Sequence, residues 1–335
     1  MRPLGYVTLG ALGLALGGLA CETLKSSKPL VPIKEYEKLI AGRMDANYIG
    51  TANCLAACHA HDQLKRDFEA STMGVQLSDK SGLPLVDCES CHGPGSLAVE
   101  GLTPEKVAED EAAGKRTACR FETLTDLKGL PAGARSLICL KCHTGNATFS
   151  LHNWAVGAHA LADVSCPDCH DIHAGAELIV HRDEMGAMCD RCHIDVAAQT
   201  ALPSRHPSDN REMVCTDCHD PHGTTGPGLL KQPTVAQTCT SCHGEKEGPF
   251  AFNHADLEND CMACHTPHGS VNNNLLAAAE PFLCLQCHSG HWLSSPVGAS
   301  ELETKAAFYT RCSDCHSTIH GTDTPSASGR GTFLR

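Results

Sequence analysis

The sequence predicts a mostly irregular chain with short α-helices, elongated and wrapped around covalently attached groups that replace a side-chain core. Three observations predict it. Aromatic residues make up 4% of the 335 residues, too few to fill an ordinary core. The chain also holds 22 Cys and 21 His. Most of these fall into one repeated pattern, C-x-x-C-H. It occurs first at Cys88, Cys91 and His92; then at Cys139, Cys142 and His143; Cys166, Cys169 and His170; and Cys189, Cys192 and His193. It returns at Cys215, Cys218 and His219; Cys239, Cys242 and His243; Cys261, Cys264 and His265; Cys284, Cys287 and His288; and Cys312, Cys315 and His316.

The spacing has a chemical reason. Two thiols one helical turn apart add to the two vinyl groups of one haem, and the adjacent His becomes the proximal iron ligand. Zinc sites pair C-x-x-C units with each other or with distant His, and leave a His after every second Cys unexplained. A disulfide framework explains it no better. The fold class is therefore a multihaem cytochrome c.

Taken in order, residues 1–20 combine Arg2, an uncharged apolar and Gly run, and small residues at Gly18-Leu19-Ala20, the makeup of an export signal. Cys21 follows at the lipoprotein position, with Gly18 where such signals carry a larger aliphatic; the alternative is plain cleavage after Ala20. Residues 21–48 form a tether that leads into a short helix near Glu35–Ala41. The decahaem region, 49–325, opens with Cys54-Leu-Ala-Ala-Cys58-His59, one residue longer than the pattern. The nine regular sites and Cys21 leave only Cys54, Cys58 and Cys119. Cys54, Cys58 and His59 thus read as a tenth haem site with a looped-out residue, and Cys119 as a lone thiol. The 46 residues between His92 and Cys139 hold an insertion, 101–135, placed on the surface. Within it Thr103-Pro104-Glu105 starts a charged helix to about Lys115. Residues 326–335 are small, polar and disordered in this reading.

From His143 onward, 17 to 23 residues separate each motif His from the next motif. Alternate sites share further features: His159, His206 and His254 precede the motif, and His173, His222 and His268 follow three places after it. The repeat is thus two haems long. Ten haems need ten distal ligands to close every iron. The repeat-defined candidates are His159, His173, His206, His222, His254, His268, His291 and His320. The first repeat breaks the pattern, because Met73 stands where His159 stands and Gly95 where the others have His. Two ligands are left to come from His61, His152, His181 or Met73. Methionine would raise that haem's potential, or else merely pack on a haem face. Irons closed on both sides transfer electrons and bind no substrate. Asp168, Asp217 and Asp314, inside C-x-Asp-Cys-His, either favour oxidised haem or serve ordinary helix-turn polarity.

The runs Cys88-Glu-Ser-Cys-His-Gly-Pro-Gly, Cys261-Met-Ala-Cys-His-Thr-Pro-His-Gly-Ser-Val-Asn and Cys312-Ser-Asp-Cys-His-Ser-Thr-Ile-His-Gly resemble the exported decahaem cytochromes of Mtr-type porin–cytochrome conduits, related to those of extracellular dimethyl sulfoxide reductase systems. The resemblance spans nearly all of 49–325. It implies a row of ten bis-His haems held in an outer-membrane β-barrel porin. Electrons would pass from a periplasmic donor cytochrome to an outer-surface multihaem cytochrome or terminal acceptor. The first-site spacing, Met73 and Cys21 depart from the family at one end.

Three functions compete on the sequence: an electron conduit, a soluble periplasmic shuttle or haem-filament subunit, and a multihaem reductase. A reductase needs an open iron, often with Lys as proximal ligand, and every site here ends in His. The net charge of −13 excludes nucleic acid as a partner and suits redox proteins with basic patches.

Overall fold

The computed structural model describes residues 43–54, 63–82, 85–115, 119–143, 151–173, 180–208, 212–254, 260–288 and 311–324. The export signal, Cys21, the Glu35–Ala41 helix, Cys58, His59, His61, His291 and the 326–335 tail lie outside them. Among the described residues there are short helices and isolated bridges, with no strand. No described helix is long and apolar enough to cross a membrane.

The helices are short for local reasons. Gly and Pro recur, and the site turns are stopped after about one turn by His in extended backbone, as at His170 and His219. Side-chain caps start several of these turns. Asp87 accepts from Ser90 N at 2.7 Å and its own N–H donates to Ser90 Oγ at 3.1 Å. Asp168 accepts from Ser165 N at 2.7 Å, and Asp217 from Val214 N at 2.8 Å. Asp168 and Asp217 are thus capping residues of their own turns.

The chain divides into two compact units, residues 1–60 with 87–130, and 61–86 with 131–335. In the first, the Thr51–Cys54 helix docks beside the Cys88–His92 helix, where Cys88 N donates to Thr51 Oγ1 at 3.1 Å. Glu89, only 3% exposed, organises this unit. Its carboxylate accepts from Ile49 N at 2.9 Å, Gly50 N at 2.6 Å and Gly95 N at 2.7 Å, which satisfies a charge that burial would otherwise penalise. The charged helix is observed at Pro104–Ala112, shorter than expected, and Lys115 N closes a turn onto Asp110 O. The expected surface insertion is only partly at the surface. Thr123, Thr125 and Leu130 are buried, because Arg120 N donates to Ala98 O at 2.9 Å and Thr125 N to His92 O at 2.8 Å.

The second unit is built from repeating turns. Among its described residues the buried apolar ones are few and mostly small, namely Ala132, Ala134, Ile138, Trp154 and Ala236. Burial of that size cannot by itself offset the entropy of ordering so much irregular chain. A non-protein core is the physical requirement that follows.

Candidate haem-iron centres

One hydrogen bond recurs at site after site. The motif His N–H donates to the carbonyl of the first motif Cys at His170, His193, His219, His243, His265, His288 and His316, always at 2.9 or 3.0 Å. That bond closes one turn and puts two sulfurs and an imidazole within reach of one group. No described cysteine forms a disulfide, Cys119 included.

The sites also stand against one another in order. Cys139 hydrogen-bonds Cys166 and holds that thiol down at about 6. Cys189 does the same for Cys215, at about 7, and is itself pushed up. Burial first, and Cys261 second, raise Cys239 to about 11; burial and then Cys312 raise Cys284 to about 12. First cysteines therefore meet in pairs. The second cysteines supply the alternate links, since Cys169 feels Cys192, Cys218 feels Cys242, and Cys264 feels Cys287. Counting Cys54 and Cys58 as the first site, these links run unbroken from the third site to the tenth. Glu280 joins the last pair, accepting from Ser313 N at 2.8 Å beside Cys284 and Cys312.

Three of the described second cysteines take no part in the links just traced: Cys91, Cys142 and Cys315. The sequence expects each as the second thioether sulfur of its site, equivalent to all the others, and the structure places them differently. Cys91 is half-buried within the Cys88–His92 helix, whereas Cys142 is exposed in the last turn of the Ala132–His143 helix. Cys315 is exposed just past the Cys312–Asp314 turn. For Cys315 the reason lies in the chain order, since it belongs to the last motif and has no later one to meet.

Histidines pair across the repeats. Ring centres lie 6.0 Å apart for His159 and His193, 6.0 Å for His170 and His222, and 6.5 Å for His206 and His243. They lie 6.1 Å apart for His219 and His268, 5.8 Å for His254 and His288, and 6.2 Å for His265 and His320. Each pair joins a motif His to a distal candidate. Two imidazoles sharing one metal at about 2.0 Å per nitrogen, with ring centres about 1.1 Å further out, sit about 6.2 Å apart. The residues fit a six-coordinate haem iron.

The second ring nitrogens are engaged as ligand histidines require. Nδ1 of His159 bonds Pro221 O and Nδ1 of His206 bonds Pro267 O, both at 3.0 Å. Nδ1 of His219 bonds Gly228 O at 2.7 Å, and that of His265 bonds Asn274 O at 2.9 Å. Carbonyl acceptors fix the Nδ1–H tautomer and leave Nε2 to face the partner ring. Leu229 and Leu275 hold left-handed backbone (φ 60° and 57°) at matching places in the two loops, a strain of about 1–2 kcal/mol each that aims the preceding carbonyls at the rings. Burial lowers His170, His268 and His320, keeping these imidazoles neutral.

The pairing follows a rule that spacing alone did not reveal. A His before an even-numbered motif meets the motif His of the next site: His159 with His193, His206 with His243, His254 with His288. A His after an even-numbered motif meets the motif His two sites earlier: His222 with His170, His268 with His219, His320 with His265. Of the other candidates, His173 N donates to Asp171 Oδ1 at 3.0 Å, copying His222 N and Asp220 Oδ1 at 3.0 Å. His152 is exposed, while His181 and Met73 are half-buried.

Sequence reasoning missed the residues that enforce these crossings. Gly223 follows His222 with φ +113°, and a Cβ there would meet Asn153 O at 2.6 Å. Gly269 and Gly321 follow His268 and His320 and press on Gln199 and Phe250 in the same way. The signal was present as a recurrent His-Gly. Arg182 was also missed; it grips Asp217 through two bonds of 2.9 and 2.7 Å.

Comparison with known proteins agrees with this geometry. The doubled CXXCH motif family matches residues 206–248 and 254–291. Each match begins at a distal His, His206 or His254, whose ring meets the second motif His of that same match. The chain is 32% identical over 284 residues to the multiheme cytochrome MtrA of Shewanella baltica (strain OS185), covering 83% of this chain and 80% of that one. A doubled C-x-x-C-H module, repeated with its axial pairs already spaced for iron, and a relative matched over most of both chains lead to one assignment. The chain belongs to the MtrA family of multihaem c-type cytochromes, electron carriers rather than enzymes.

Proposed function

We propose that this protein binds ten c-type haems and conducts electrons across the outer membrane inside a porin–cytochrome complex. The observation that supports the reading is the six axial histidine pairs, with ring centres 5.8 to 6.5 Å apart, set along a series of neighbouring attachment cysteines from the third site to the tenth. When bound, each haem supplies an iron that takes up and gives back one electron.

The chain's own residues do the rest. Neighbouring thiols tether successive groups side by side. Imidazoles on both faces keep the irons closed to substrate, and the carbonyls of Pro221, Pro267, Gly228 and Asn274 hold the rings in one tautomer. Cys91, Cys142 and Cys315 complete the thioether pairs of the second, third and tenth haems. The pairing rule also removes one difficulty in the first repeat: a His after the second motif would serve a site before the first, so Gly95 leaves no iron short. His173 and His291 supply two more distal ligands. Cys54, Cys58 and His59 make the first site of the row and bring the haem count to ten, which the docking of the Thr51–Cys54 helix beside Cys88 supports.

The export signal, the acidic charge and the kinship with MtrA support placement at the periplasmic face of an outer-membrane barrel, with Cys21 as lipid anchor. Partners are then a β-barrel porin, a periplasmic donor cytochrome and an outer-surface cytochrome or terminal acceptor. The test is purification from native membranes, then reconstitution in vesicles enclosing an oxidised dye with a reductant outside. Co-purification with a barrel protein, and dye reduction that requires both proteins, are expected. A monodisperse soluble protein without a barrel would overturn the conduit and favour a periplasmic shuttle.

A further inference from the structure

The segment around Met73 repeats the backbone that carries the distal ligand His159. Ser71 N donates to Phe68 O at 3.0 Å and Val75 N to Ser71 O at 3.1 Å. At His159, Gly157 N donates to Trp154 O at 3.0 Å and Leu161 N to Gly157 O at 3.1 Å. In each case an aromatic residue opens the turn, a buried small residue (Ser71 or Gly157) is its pivot, and the ligand position comes two residues later. The Ser71 hydroxyl tightens the first copy, donating to Phe68 O at 2.7 Å and accepting from Gly74 N at 3.0 Å. Met73 therefore occupies a ligand register in structure as well as in sequence.

The pairing rule then names the iron. A ligand before an even-numbered motif serves the next site, and Met73 precedes the second motif. Its target is the third site, at His143. The division of the chain agrees, because residues 61–86 group with 131–335, where His143 lies, and apart from the second motif. Of the rival histidines, His61 lies outside the described residues, and the other two are less suited. His152 is exposed. His181 lines a hollow with Cys169, Met188 and Arg191, beside the fourth and fifth sites, whose motif histidines already face His222 and His159.

We infer that the Met73 sulfur is the sixth ligand of the haem iron held by Cys139, Cys142 and His143, which makes this the one His/Met centre in a chain of bis-His centres. The inference rests on the decahaem reading above. A thioether is a weaker electron donor than imidazole and favours ferrous iron, so the third haem has the highest potential of the row. An electron entering there dwells before moving on.

The test is near-infrared magnetic circular dichroism of the ferric full-length protein, in which His/His and His/Met haems give separate charge-transfer bands. The wild type is expected to show one His/Met haem in ten. Met73→His should move that haem into the His/His class and lower the highest potential in a redox titration. Met73→Leu should abolish the band and produce one high-spin haem. A wild-type spectrum without the His/Met band, or a band that survives Met73→Leu, overturns the assignment. Haem content of the same sample separates the two claims: ten haems without the band sink only Met73, whereas nine or fewer sink the decahaem reading.

Discussion

His222 illustrates how much of the site rests on single residues. It faces His170 with ring planes 7° from parallel, its N–H is held by Asp220 Oδ1, and its Nδ1 lies 3.2 Å from the same oxygen. His222→Ala is expected to leave the iron at His170 with one protein ligand. Electron paramagnetic resonance should then show a ferric high-spin signal amounting to one haem in ten; a spectrum that stays low-spin would place the ligand elsewhere. The sequence named His222, and His159, His206, His254, His268 and His320 with it, because each stands a short way before or after a motif in the repeat. It could not say which iron each serves. That depends on where the chain returns in space, and the contacts that return it involve backbone carbonyls that spacing does not display. Glu89 was illegible for a similar reason: in sequence it is one of the two variable residues of a motif, yet it accepts three backbone donors. Glu89→Ala is expected to destabilise the first unit by about 3 kcal/mol, measured by denaturant unfolding, since buried donors lose a charged acceptor.

At the scale of elements, the one-turn helix is the unit of construction, and its cap decides its electrostatics. Burial opposes ionisation of Asp168, but the Ser165 donors and Arg135 overcome it; Arg182 holds Asp217 below the usual carboxylate range. Arg311 reaches Asp314 at 3.0 Å. Of the two roles the sequence left open, the caps at Asp168 and Asp217 favour helix-turn polarity for those two, and the paired guanidinium offsets much of the carboxylate's field. Asp217→Asn should cost about 1 kcal/mol and leave haem potentials nearly unmoved in a redox titration. Because the native pKa is lowered, the contribution is complete above the ordinary Asp pKa and disappears as pH falls through the lowered value. The stability gap between variant and wild type should therefore close in acid. Gly223 sets the other element-level constraint. Gly223→Ala forces Cβ against Asn153 O in strained backbone, a cost of about 2 kcal/mol or more, and should loosen His222 enough to give a partial high-spin signal.

For the whole molecule, the composition already implied that protein alone does not make the core. Four per cent aromatics with 22 Cys and 21 His left little else to pack around, and the described buried set is correspondingly sparse. The fold class was legible because covalent attachment imposes a strict local spacing. The linkage of sites into one series was not, since it depends on cysteines many residues apart, such as Cys139 with Cys166 and Cys284 with Cys312, meeting side by side. Nor did spacing separate Cys142 and Cys315, exposed and outside those contacts, from cysteines such as Cys218 that take part in them. The irregular first site meets the second through the docking of the Thr51–Cys54 helix beside Cys88. The most direct test of a ten-membered electron chain is the intact mass of the mature protein after thiol alkylation. The account predicts ten covalently bound haems with only Cys119 alkylated, apart from a lipid on Cys21. Nine haems, with Cys54 and Cys58 alkylated as well, would contradict it.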